Sequence, residues 1–93
     1  MDYVLITHEV VDYSAWKKIF DNAASLRKEA GERSYQILHY ERDSNKVVHF
    51  SGWTSLASAK AFFESPRLVR LREEAGVKAP EFVYLVSLES GVL

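Results

Sequence analysis

The chain has 93 residues, of which 47% are hydrophobic and 27% charged, with a net charge of −1 and no cysteine. That length supports one hydrophobic core, read as a single domain over residues 1–93. The near-neutral balance argues against nucleic acid as a partner, and the lack of thiols excludes disulfides, thiolate nucleophiles and zinc–sulfur sites.

In chain order, Tyr3–Val10 (YVLITHEV) is rich in β-branched and aromatic residues and reads as a strand. Asp12 is placed to cap a helix in which Trp16, Ile19, Phe20, Ala23, Leu26, Arg27 and Ala30 recur at helical spacing, with Gly31 as its stop. Ser34–Arg42 (SYQILHYER) and Lys46–Trp53 (KVVHFSGW) form a predicted hairpin around a turn at Asp43-Ser44-Asn45. Ser55 caps a second helix that turns Leu56, Ala59, Phe62 and Phe63 inward. Pro66 breaks it, "RLVRLREEAG" resumes helix as far as Gly76, and "FVYLVSLE" makes the last strand. The order β-α-β-β-α-β is that of an α+β, ferredoxin-like fold. Right-handed crossovers place the antiparallel strands in the order 4-1-3-2, with both helices on one face.

The other face is not polar. Tyr3 and Leu5 oppose Val4, Ile6 and Val10; Tyr35 and Ile37 oppose Leu38 and Tyr40; Phe82, Tyr84, Val86 and Leu88 oppose Val83 and Leu85. Apolar residues on both faces require both to be covered, and in so short a chain the second cover is a second copy, a homodimer through the sheet face. No apolar run approaches the roughly 18 residues of a membrane span, and Met1-Asp2-Tyr3 lacks the basic start of a signal peptide. A cytoplasmic protein without a membrane partner is expected.

The hairpin "YQILHYERDSNKVVHFSGW" and the following "GWTSLASAKAFFESPRL", with a strand-end Trp, a capped helix and a Ser-Pro, resemble the antibiotic biosynthesis monooxygenase family of the dimeric α+β barrel superfamily. The resemblance follows the element order of the whole chain, and its specific part is Tyr35–Leu68. It implies a subunit whose sheet packs on that of its mate, with a pocket between sheet and helices. The family includes cofactor-independent oxygenases of quinol-type aromatic substrates, heme-degrading enzymes and many proteins of unknown activity; the first, acting on a small aromatic ligand without metal, flavin or heme, is expected here. The heme-degrading relatives carry an Asn on the first strand and a Trp and a His on the second helix. This chain has no Asn in residues 3–10 and neither Trp nor His in Ser55–Gly76, so heme breakdown is not expected.

Such chemistry needs a dry aromatic slot and a base to take a phenolic proton. His49 and His39 are the candidate catalytic residues, with Tyr40, Phe50, Trp53, Phe62 and Tyr84 as candidate substrate-binding residues. A loop of Asp43–Asn45 sets His39 opposite His49, whereas a loop of Ser44-Asn45 alone puts them on different faces. His8 completes a conceivable three-histidine set, but no ligand spacing or carboxylate companion supports a metal. Arg67, Arg70 and Arg72 are expected to pair with Glu64, Glu73 and Glu74 on a solvated face. No glycine-rich phosphate loop occurs, so no nucleotide cofactor is expected. Two other readings use the same pocket: a non-catalytic small-ligand-binding or dimerisation module, and a cyclase or isomerase.

Overall fold

Alternation along the strands sets the architecture. A computed structural model describes residues 1–93 as β1 (Asp2–Val10), α1 (Tyr13–Asn22), α2 (Ala24–Ala30), β2 (Glu32–Tyr40), β3 (Asp43–Trp53), α3 (Leu56–Phe63), α4 (Pro66–Glu74) and β4 (Val77–Val86). The antiparallel sheet has the order β2-β3-β1-β4, which is the expected 4-1-3-2 read from the other edge. On the two central strands, Val4, Ile6, His8 and Val10 of β1 and Val47, His49, Ser51 and Trp53 of β3 are all buried, facing the helices. No helix is long and apolar enough to cross a membrane.

The caps form as the local sequence dictates. Ser14 N donates to Asp12 Oδ1 at 3.0 Å, Ser58 N to Ser55 Oγ at 3.1 Å, and Leu68 N to Ser65 Oγ at 3.3 Å, with Pro66 in the first turn of α4. The helix expected to run unbroken to Gly31 is divided at Ala23. The physical reason is a side chain entering the hydrogen-bond ladder. Arg27 Nη1 donates to the Phe20 carbonyl, and Ala23 N reaches back to Ile19 O (3.1 Å) and Phe20 O (3.3 Å).

Two strand ends also differ from expectation. The β2–β3 loop is Glu41-Arg42, with Tyr40 opposite Asp43, and the Asp43-Ser44-Asn45 turn survives as an irregularity in which Asn45 N donates to Asp43 Oδ1. β4 starts at Val77 rather than Phe82, because the edge position tolerates Pro80. There Ala79 and Pro80 together oppose His8, a bulge flanked by the Thr7–Glu81 and Glu9–Lys78 pairs, and Ala79 has φ +44°.

Candidate functional site

The helix-side core is in two parts. Val4, Ile6, Trp53, Ala59 and Phe63 form one apolar cluster, and Val10, Trp16, Phe20, Val47 and Ala75 form the other. Between them lies a cavity of about 70 Å³ whose lining includes Ile6, Trp16, Phe20, Phe63, Leu68 and Leu71. Only four of its lining residues are polar: His8, Arg27, His49 and Arg72.

His49 sits at the centre of β3, 3% exposed. Its Nε2 lies 2.7 Å from Glu32 Oε2, and Glu32 Oε1 accepts from Arg27 Nε at 2.5 Å. All three side chains are buried, and Phe20 and Tyr35 close over them: the Arg27 guanidinium is 3.6 Å from the Phe20 ring centre, and Phe20 stands edge-on to His49 at 4.9 Å. A carboxylate held by an arginine only accepts, so Nε2 of His49 carries the proton of that hydrogen bond. With Nε2 bound to Glu32, Nδ1 is the ring nitrogen left without a partner, a lone-pair acceptor whenever the ring is neutral. This is the arrangement a general base requires.

His8 is the second imidazole of the cavity. It neighbours His49 diagonally on the sheet, since Ile6 pairs with His49 and His8 with Val47, and the Trp16 ring lies 5.6 Å away. Burial first, then the nearness of His49 and Arg72, lowers its pKa from 6.5 to about 3. Arg72 does not join the solvated ion pairs expected of it. It turns inward, Nη1 donating to Phe63 O at 3.0 Å with its guanidinium 5.0 Å from the Phe82 ring centre, and burial lowers its pKa.

Of the residues singled out from sequence, His49 and Phe62 line this cavity. Trp53 is wholly buried in the first cluster, its Nε1 donating to Ser51 Oγ at 2.8 Å, and Tyr84 packs against that cluster from β4 with a phenol whose pKa burial raises. Phe50 faces the opposite side of the sheet, stacked on Tyr3 at 5.2 Å with the rings 3° from parallel. Gly52, opposite Tyr3, leaves room for Met1 and Ser34: an added Cβ there would stand 2.6 Å from Met1 Sδ and 2.6 Å from Ser34 Oγ. His39 and Tyr40 are exposed near the hairpin end; His39 pairs with Val47 rather than His49, and its Nδ1 lies 2.7 Å from Tyr40 O. The three histidines do not converge, and no group of three or more His, Asp or Glu side chains is placed to hold a metal ion. Sequence reasoning missed Glu32 and the role of Arg27. The available signal was Arg27 itself, a charged residue at an inward helical position, which requires a counter-charge within reach.

Comparison with known proteins places this geometry. The antibiotic biosynthesis monooxygenase family matches residues 12–74. Among solved structures, SnoaB, a cofactor-independent oxygenase from Streptomyces nogalater, superposes with a TM-score of 0.77 at 12% identity over 96% of this chain and 94% of its own. A protein of Caulobacter crescentus gives 0.73 at 19% identity over 95% and 90%, and Rv0793 of Mycobacterium tuberculosis gives 0.68 at 20% over 99% and 100%. At these identities the likeness is one of fold. No curated protein matches the chain. The family match spans most of the sequence and takes in Arg27, Glu32 and His49, so the chain belongs to the antibiotic biosynthesis monooxygenase family.

Proposed function

We propose that the chain is a cofactor-independent monooxygenase acting on a small aromatic, quinol-type compound bound between the sheet and the helices. The observation that carries this reading is His49, whose Nε2 is tied to Glu32 while the ring borders an otherwise apolar cavity. Family membership supports the reaction class. In this scheme His49 Nδ1 accepts the phenolic proton, and the electron-rich phenolate donates an electron to dioxygen. A ring carbon then bonds to one oxygen atom, and loss of water leaves the quinone. The overall balance is phenol plus O2 giving quinone plus H2O, with all four electrons supplied by the substrate. The apolar walls keep water from the phenolate, and the Glu32 carboxylate stabilises the imidazolium that forms.

One observation favours the non-catalytic alternative: a cavity that accepts benzene measures about 150 Å³, roughly twice this one. Admission of a ring requires the cover to move. α4 supplies Leu68, Leu71 and Arg72 to the lining but contains no buried residue, which makes it the part that yields. Oxygen uptake with hydroquinone separates the two readings. His49→Ala is expected to lower turnover by about 10²–10⁴-fold while the circular dichroism stays native. Turnover unchanged in the variant, or absent in the natural chain across a panel of simple quinols, removes the catalytic reading.

The dimer belongs to the same proposal. The sheet face away from the helices presents Tyr3, Leu5, Val48, Phe50, Leu38, Val83 and Leu85, half-buried or exposed. A face this apolar calls for a partner, and the mate's identical face is self-complementary under two-fold symmetry. Light scattering at micromolar concentration is expected to give about twice the 10.7 kDa chain mass. A folded monomer at that concentration contradicts it.

A further inference from the structure

One buried side-chain atom in the molecule lacks a hydrogen-bond partner, and it is Nδ1 of His8. Every other buried polar side chain is engaged: Arg27 with Glu32 and the Phe20 carbonyl, Glu32 with His49, and Trp53 with Ser51. Packing does not demand an imidazole at this position. Val4, Ile6 and Val10 fill the other inward places of β1, and a buried polar atom left unpaired is destabilising where an aliphatic group is not. His8 is 5% exposed and lines the cavity. The strand beside it is distorted as well, with Ala79 at φ +44° in the bulge that opposes it.

The remaining polar groups of the cavity narrow what such an atom is for. Arg27 is committed to Glu32 and Phe20 O, and Arg72 to Phe63 O. Three ring nitrogens are left, both of His8, with Nδ1 the more enclosed, and Nδ1 of His49, on diagonally adjacent residues of β1 and β3. Diagonal neighbours on paired strands stand about 7–8 Å apart, so nitrogens turned toward one ligand are served by oxygens on neighbouring ring atoms.

We infer that His8 is a ligand-binding residue, and that the cavity takes a ring bearing two neighbouring oxygen functions, one meeting each imidazole. This rests on the reading that the cavity holds a phenolic ring. A hydroxyl both donates and accepts, so it satisfies His8 in either tautomer, whereas a ring with one oxygen leaves one of the two imidazoles without a ligand partner. Because burial keeps His8 uncharged, the group it recognises is a hydroxyl or carbonyl rather than a carboxylate.

Titration of histidine-15N-labelled protein with phenol and with catechol tests the inference. Catechol is expected to bind about fivefold more tightly than phenol, the worth of one added neutral hydrogen bond, and to shift the His8 ring nitrogens where phenol does not. His8→Phe is expected to keep the phenol affinity within about twofold and to erase the preference for catechol. Equal affinity for the two ligands, or a preference that survives His8→Phe, overturns the inference while leaving the phenolic-ring reading intact. Binding of neither ligand overturns both. Should His8→Phe not fold, the natural chain decides: His8 nitrogens unmoved by bound catechol reject the assignment.

Discussion

Glu32→Ala lowers folding stability by about 3–5 kcal/mol, the expected effect of stranding a buried charge. Arg27 is 7% exposed, roofed by Phe20 and Tyr35, and its guanidinium has no second carboxylate in reach. Removing Glu32 leaves that cation with only the Phe20 carbonyl and frees the His49 ring to turn. For a chain of this length the loss corresponds to a fall in Tm on the order of 15–30 °C, read by thermal unfolding. The companion experiment replaces both charges, Arg27→Met with Glu32→Leu. It is expected to recover most of the stability, because a volume-matched apolar pair needs no desolvation of ions. A single-variant loss below about 1 kcal/mol contradicts the picture of a buried, mutually dependent pair.

The fold is acid-sensitive through His8. Its folded pKa of about 3 lies below the value of 6.5 that it takes when unfolded. Between those values the unfolded chain binds a proton that the folded chain refuses, so stability rises with pH and is lost as pH falls from 6.5 toward 3. The loss approaches tenfold in the folding constant for each pH unit, on the order of a thousandfold across the window. The nearness of His49 and Arg72 adds to the effect of burial. Two measurements check this. The His8 ring resonances are expected to stay flat from pH 8 to about pH 4 in the natural chain. The stability difference between it and His8→Phe is expected to change steadily below pH 6.5, with the variant the less acid-sensitive. A His8 titration near 6.5 rejects the argument.

Much of this architecture was legible in the residues because it is written in local, redundant signals. Asp12 and Ser55 each announce a helix start in the chemistry of a single side chain, while strand alternation puts His49 and Phe50 on opposite faces, against the expectation that both line one slot. What escaped depends on partners far apart or on single-residue offsets. The break at Ala23 comes from a guanidinium four residues on, which helical periodicity does not register. The sequence places the hairpin turn at Asp43–Asn45, and the actual loop sets His39 opposite Val47, two pairs from His49, a shift that propensity does not resolve. Glu32 follows Gly31 and reads as a turn residue; only when β2 pairs with β3, Glu32 opposite Trp53, does its carboxylate come under His49.

The yielding of α4 proposed above has a thermodynamic consequence for anything that enters the cavity. If the ring-binding form is the one in which Leu68 and Leu71 have withdrawn, it is a minor population of the free protein, and the measured affinity is the intrinsic affinity scaled down by that fraction. Residues on the outer side of α4, such as Arg67 and Arg70, then become control points although they touch no ligand. A substitution that strengthens the helix weakens binding, and one that loosens it strengthens binding, with the same factor for every ligand the cavity accepts. On that proposal selectivity resides with the two imidazoles on the sheet, while overall affinity is scaled by a helix that contributes only walls to the cavity.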